Sequence, residues 1–237
     1  MSRIKALINI IIYLVVQLFS GLLIYNLFGS STSKSSLIDS LTSLYFVGFT
    51  AVLTLILIII TNFNYLKSKI LYSIDHYKEA IKYGVLGFLA YWAFSIVFNI
   101  IRVFIEGMNS NGTSQNQEVI NEMANHAPVI IVFSLIVLII PFLEELIFRM
   151  SLMGVFVKDK KSNRLYFYII AALLFGLAHD FSFITNFSIS NLFIFLQYFI
   201  VSLVIIYVYY KSNHNILATY VLHFCNNLIA FIAMVSL

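Results

Sequence analysis

The stretch IVLIIPFLEELIFRMSLMGVF, residues 136–156, decides the class of this protein. It is apolar over about the 20 residues that an α-helix needs to cross a bilayer, yet it carries Glu144, Glu145 and Arg149 near its middle. A charged residue at the centre of a membrane helix costs about 3 kcal/mol on insertion scales. Because such residues usually mark functional positions, the stretch predicts both a membrane helix and a functional site.

The composition of the whole chain agrees with a membrane protein. Of its 237 residues, 61% are hydrophobic and 10% are charged, whereas a soluble globular protein carries about 25% charged residues. The apolar runs are continuous rather than alternating, which disfavours a β-barrel. We therefore predict an all-α fold, a polytopic bundle of about seven transmembrane helices. The predicted spans are 6–28, 41–61, 83–105, 127–157, 165–180, 187–210 and 216–236.

The basic residues predict the orientation of the chain in the membrane, because cytoplasmic loops are enriched in Lys and Arg. Most of them precede the first span or fall in alternate loops, as Arg3, Lys5, Lys158 and Lys211 do. The opposite loops hold only Lys34, and the 106–126 loop has acidic but no basic residues. The N-terminus is therefore predicted to be cytoplasmic. The net charge of +4 is spread between apolar segments, so the expected partners are the lipid bilayer and a membrane-bound substrate, with no nucleic acid.

Three of the predicted helices carry polar side chains to a similar depth. The fifth span ends in FGLAH, with His179, and the seventh carries His223 and Asn227 one helical turn apart. Counted from the nearest cytoplasmic basic residue, Glu144 and these three residues lie 12 to 16 positions into the membrane. That is about 18–24 Å at 1.5 Å per residue. Packing residues have no reason to share a depth, so we predict that the four side chains meet in one layer.

The other two charged residues of the deciding stretch can neutralise each other. Glu145 and Arg149 are spaced i,i+4 with the acid first, which is the favourable order for an ion pair on one helix face. Glu144 lies about 100° round the helix from Glu145, so Arg149 does not explain it as easily. Glu144 is therefore the strongest candidate for chemistry, and the pair either shares in the chemistry or holds the site.

Two carboxylates, two imidazoles and an amide in a partly dry pocket suit hydrolysis. A carboxylate can accept a proton from water and make the water nucleophilic, and imidazole or amide donors can stabilise an oxyanion. The same set can instead bind a metal, since two histidines and a carboxylate with an open position form a catalytic zinc arrangement. The candidate metal ligands are Glu144, His179 and His223. Carboxylate-activated and metal-activated water both remain open at this point.

Three motifs occur in order on separate apolar segments. EELIFR at 144–149 fits EExxxR, FGLAH at 175–179 fits FxxxH, and the stretch from His223 to Asn227 fits HxxxN. Together they resemble the CPBP family of intramembrane proteases, which includes the CAAX prenyl protease type 2 enzymes and the bacterial Abi, or bacteriocin self-immunity, proteins. The resemblance divides the chain into three N-terminal membrane helices with a polar loop, 1–124, and a CPBP-type catalytic helix bundle, 125–237.

The resemblance implies an intramembrane endopeptidase that cleaves a membrane-associated peptide or protein, such as a quorum-sensing precursor or a bacteriocin leader. It implies that Glu144 and His179 activate the water, that His223 and Asn227 position the oxyanion, and that the ion pair of the first motif orients the site. It does not fix a cofactor, because members of the family have been regarded as glutamate-dependent or as metalloproteases. Either no cofactor or a divalent metal such as zinc is expected.

Two other functions remain as alternatives. A catalytically inert membrane scaffold or regulator of the same fold would be favoured by degraded motifs, and here the motifs are intact. A proton-coupled transporter could use buried Glu and His as a relay, but no pair of glycine-broken helices recurs in matching halves of the sequence. The favoured interpretation is an integral membrane protease of a bacterial plasma membrane.

Overall fold

A computed structural model of the chain describes residues 1–28, 36–107, 117, 120–121, 127–156 and 164–236. Within these residues the protein is helical and contains no strand. The helices, in chain order, are α1 (Arg3–Phe28), α2 (Ser36–Asp75), α3 (Tyr77–Glu106), a composite helix α4 (129–156), α5 (Arg164–His179), α6 (Ser182–Thr185), α7 (Ile189–Lys211) and α8 (Ile216–Val235).

The predicted all-α membrane fold is confirmed. Five helices in the described part of the chain are long and apolar enough to cross a membrane, and α5 is a shorter apolar helix. The second helix differs most from its predicted span. It does not end at residue 61 but continues to Asp75 past a kink at Asn62, where φ is −127° and ψ is 19°. Apolar residues such as Leu66 and Ile70 recur beyond the kink and no proline interrupts them, so the helix continues.

The composite helix α4 alternates between two kinds of helical turn. Its α-helical segments are Val129–Phe133, Ile140–Glu144 and Leu152–Phe156, and π-helical segments occupy Ser134–Ile139 and Glu145–Ser151. Pro141 sits just after the first π-helical segment. It lacks a backbone N–H and cannot make the regular helical hydrogen bond. Short π-helical stretches inside α-helices are rare and frequently lie at functional sites.

The chain folds into two compact units whose segments interleave along the sequence. The first unit contains Met1–Lys69, Ile120–Val155 and Asn227–Leu237, and the second contains Ile70–Val119 and Phe156–Asn226. The N-terminal helix α1 and most of α2 therefore fold with α4, which carries the first motif. The functional division near residue 124 stays a prediction from the sequence.

In the first unit, small residues let α1 and α2 approach α4. A Cβ added at Gly154 of α4 would lie 2.9 Å from the Cβ of Ala6, and Ala6 is fully buried. A Cβ at Gly48 of α2 would lie 3.1 Å from the end of the Leu135 side chain. Leu135 in turn packs against further apolar residues of α2 and α4.

In the second unit, α7 contacts both α3 and α5. The contact between α3 and α8 is closest at Gly84, where a Cβ would lie 2.7 Å from the carbonyl oxygen of Ala218 and from the Val221 side chain. The contact between α5 and α7 is closest at Gly176, where a Cβ would lie 2.8 Å from the Phe195 ring. These glycines set how closely the helices pack.

We expect Gly84→Ala to lower the free energy of unfolding by about 1–3 kcal/mol, the usual cost of overpacking. The new methyl would meet a backbone oxygen, which cannot move aside, and this cost exceeds the gain of up to about 1 kcal/mol from replacing a helical glycine. Gly48→Ala is the matched control, because its methyl meets only the flexible end of Leu135, and its stability should be unchanged or slightly higher. Unfolding of both variants in detergent measures the difference, and equal losses would contradict this packing.

Candidate functional site

The first motif places a buried ion pair beside a second carboxylate. Glu144 ends an α-helical segment of α4, and Glu145 begins the π-helical segment that contains Arg149. The Arg149 Nε lies 3.4 Å from Glu145 Oε2, as the i,i+4 spacing predicts. Arg149 also interacts electrostatically with Glu144. Removing one partner of a buried ion pair leaves the other charge buried without compensation, which destabilises the fold strongly. Each of the two side chains therefore holds the other in place.

Burial separates the roles of the two carboxylates. The side chains of Glu145 and Arg149 are 0% exposed, whereas Glu144 keeps 9% of its surface exposed. Only Glu144 can therefore meet water or a substrate without a rearrangement of α4. Tyr13 of α1 interacts electrostatically with Glu144, and its ring meets Phe148 edge-on with 6.2 Å between ring centroids.

Asn227 belongs to the same unit, and its side chain is tied to the other π-helical segment of α4. Its Nδ2 donates a hydrogen bond of 3.0 Å to the carbonyl oxygen of Ile136. A side-chain amide carries two N–H donors. One of them serves this structural bond, so an oxyanion role requires the second.

In the second unit, His179 is held by two aromatic rings and a backbone carbonyl. Its ring stacks on Phe175, with 4.1 Å between centroids, and on Tyr198, with 4.6 Å. Its Nδ1 lies 2.9 Å from the carbonyl oxygen of Phe175. A carbonyl only accepts, so Nδ1 carries the proton and donates. In a neutral ring Nε2 then holds the lone pair, which is what a base or a metal ligand needs.

His223 is buried on α8 and meets the same phenylalanine. Its ring lies edge-on to Phe175, with centroids 5.9 Å apart. Phe175 therefore contacts both histidines of the second unit. This contact gives a physical reason for an aromatic residue one turn before the histidine in the second motif.

The start of α8 is fixed by Asn215. Its Oδ1 accepts hydrogen bonds from the backbone N–H of Leu217 at 3.0 Å and from the hydroxyl of Ser73 at 2.7 Å. The first bond is a typical helix N-cap interaction, and the second ties the helix start to the end of α2. His223 follows two turns later, so this cap sets its position along the helix.

The structure divides the predicted site residues between the units: Glu144, Glu145, Arg149 and Asn227 are in the first, and His179 and His223 are in the second. Within either unit, no group of three or more His, Cys, Asp or Glu side chains among the described residues could hold a metal ion. That the two groups serve one reaction stays a prediction.

Sequence reasoning missed a further buried carboxylate. Asp180 is 1% exposed, and the sequence motifs do not include it. Its Oδ1 accepts hydrogen bonds from the backbone N–H of Ser182, at 3.0 Å, and from the Ser182 hydroxyl. In the sequence, only its position directly after His179 points to this residue. Tyr198, which stacks on His179, had no signal in the sequence, because it is one of many aromatic residues in apolar runs.

Comparison with known proteins relates part of the sequence to a family. Residues 126–229 match the family described as type II CAAX prenyl endopeptidase Rce1-like, and this stretch contains all three motifs. Over these residues the chain is therefore similar to this family of membrane proteases. The membrane-embedded CAAX protease MroQ of Staphylococcus aureus (strain USA300) is 35% identical over 112 residues, which are 45% of this chain and 44% of that protein. The chain thus matches less than half of that relative's length. No solved structure matches the chain.

We expect Arg149→Met to lower the free energy of unfolding by about 3–5 kcal/mol, because it leaves the Glu145 carboxylate buried without its cation. The double variant Glu145→Leu/Arg149→Met removes both charges from the CPBP-type site and should recover most of that loss. Unfolding in detergent of both single variants and the double variant gives the coupling energy. Losses that simply add would show that the pair does not hold this part of α4.

Proposed function

We propose that the chain is an intramembrane endopeptidase that hydrolyses a peptide bond of a membrane-anchored peptide or protein. The observation that carries the proposal is the contrast within the first motif: Glu145 and Arg149 are fully buried and paired, while Glu144 beside them keeps exposed surface. A structural ion pair needs no third charge. The additional carboxylate lies within the segment that matches the CPBP family, which supports a catalytic role.

In the proposed reaction Glu144, aided by His179, accepts a proton from a water molecule. The water oxygen bonds to the carbonyl carbon of the substrate, and the carbonyl oxygen becomes an oxyanion. Donors on His223 and Asn227 stabilise that charge. The carbon–nitrogen bond then breaks, and the proton held by Glu144 passes to the leaving nitrogen, which gives a new carboxylate and a new amine.

The ion pair of the first motif has a supporting role in this proposal. The Arg149 guanidinium interacts with both glutamates, so it balances the charge of Glu145 and part of that of Glu144. A base that must accept a proton repeatedly needs a fixed position. We assign that positioning to Glu145 and Arg149, and not the proton transfer itself.

The proposal also covers the partners of the protein, its orientation in the membrane and a metal-dependent alternative. The partners are the bilayer and a membrane-anchored substrate, and the N-terminus is proposed to face the cytoplasm. Zinc held by Glu144, His179 and His223 is the alternative way to activate the water. The lone pair on His179 Nε2 suits a ligand as well as a base.

We expect Glu144→Gln to lower the cleavage rate by about 10²–10⁴-fold, the usual contribution of a general base. His179→Ala should also lose most of the rate. The assay uses reconstituted liposomes and a panel of membrane-anchored peptides. Glu79→Gln is the matched control, because Glu79 is exposed at the start of α3 and its loss should leave the rate unchanged.

The same assay separates the two ways of activating water. Cleavage that persists with a strong chelator supports the carboxylate mechanism. Cleavage that is lost with chelator and restored by zinc assigns a metal to the site. Equal cleavage by the unsubstituted protein and by Glu144→Gln would overturn the proposed role of Glu144.

A further inference from the structure

One face of α1 runs along the part of α4 that carries the first motif, although α1 lies outside the segment that matches the protease family. Positions 6, 9 and 13 are three and four residues apart and so share this face. They meet α4 at three successive levels: Ala6 at Gly154, Asn9 at Ser151 and Tyr13 at Phe148. The two helices therefore stay in contact over two turns, directly up to the charged residues.

Asn9 is the polar centre of this contact. It is fully buried, and its Nδ2 donates a 3.1 Å hydrogen bond to the Ser151 hydroxyl oxygen. Its Oδ1 accepts a hydrogen bond from Asn62 Nδ2 at 2.7 Å. One side chain thus connects α1, α2 and α4. A polar group inside a membrane protein is costly unless it is hydrogen-bonded. The hydrogen bonds of Asn9 therefore fix the position at which α1 contacts α2 and α4.

Ser151 connects Asn9 to the backbone of the first motif. It is the last residue of the π-helical segment Glu145–Ser151, and its hydroxyl donates a 2.8 Å hydrogen bond to the Leu146 carbonyl oxygen. A hydroxyl has one proton, so Ser151 donates to Leu146 and accepts from Asn9. The segment closed by this bond contains Arg149 and follows directly on Glu145.

We propose that Asn9 is a positioning residue for the first motif: through Ser151 it holds the π-helical turns of 145–151 and so sets where Glu145 and Arg149 lie. A π-helix has a rare hydrogen-bond pattern that persists only as short segments, and outside contacts of this kind stabilise it. The effect of Asn9 on catalysis rests on the proposed protease function, whereas its effect on the π-helical turns does not.

Hydrogen exchange tests the structural part of this inference. In the full chain in detergent, Asn9→Leu should accelerate amide exchange across 145–151 by about tenfold, because the Ser151 link to α1 is lost while the branched side-chain shape is kept. Ser151→Ala removes the same link from the side of α4 together with the Leu146 bond, and should have at least as large a local effect. Thr54→Val is the matched control, since in the described part of the chain the buried Thr54 hydroxyl bonds only to the Thr50 carbonyl oxygen of its own helix.

Unchanged exchange across 145–151 in folded Asn9→Leu would overturn the inference. A similar rise in Thr54→Val, or a rise spread evenly over α7 as well, would also overturn it, because either result would mean general loosening. If Asn9→Leu does not fold, Asn9→Ala, which removes the same amide donor without added bulk, decides between these outcomes.

The liposome assay tests the catalytic consequence. Asn9→Leu and Ser151→Ala should each lower kcat by about tenfold and leave KM within about twofold. The double variant should be no slower than the slower single variant, since both act through one link. Full kcat in Asn9→Leu beside active unsubstituted protein would overturn the positioning role. Altered exchange with no cleavage by any form, including the unsubstituted protein, would instead count against the proposed protease function.

Discussion

The fully buried pair of Glu145 and Arg149 is the constraint on which the site depends. Two charges that are removed from water inside a membrane protein persist only if each has its partner and a fixed geometry. The pair has both, at 3.4 Å on one face of α4. Because the pair is internally neutral, Glu144 next to it can keep its carboxylate and its exposed surface for another purpose. In the proposed mechanism, structural and chemical roles are thus separated between neighbouring residues of one motif.

The π-helical turns of α4 are the second element of this arrangement. Two carbonyls in these π-helical segments accept hydrogen bonds from side chains. Ile136 accepts from Asn227 of the third motif, and Leu146 accepts from Ser151. The first bond ties the end of α8 to α4, and the second continues to Asn9 on α1. Helices that lie far apart in the sequence therefore determine the shape of the motif-bearing helix.

The sequence predicts those features that depend on one segment at a time. The helical class, the apolar spans and the Glu145–Arg149 pair follow from hydrophobicity and from the i,i+4 spacing, which are local properties. The π-helical segments do not follow from these properties, because nothing in the sequence of residues 145–151 distinguishes them from an ordinary α-helix. Asn9 is the only polar residue between positions 6 and 16 apart from Tyr13, which marks it as unusual. Its partners Ser151 and Asn62 become evident only when three helices are packed together.

The same limit applies to the histidines. Their motifs identify His179 and His223, but the stacking of His179 on Tyr198 and the burial of Asp180 depend on how α5, α6 and α7 meet. The hydrogen bond from His179 Nδ1 to Phe175 is the exception. It spans one helical turn within α5, and the stacking of the two rings explains the phenylalanine of FxxxH.

The central claim is that water, activated by Glu144, is the nucleophile. The most direct measurement is a single-turnover cleavage in water enriched in oxygen-18, with mass spectrometry of the new C-terminal carboxylate. The account predicts that every product molecule of the first turnover carries one oxygen from the solvent. Product that instead carries an oxygen from the protein would show that the Glu144 carboxylate attacks the carbonyl itself, and it would contradict the account.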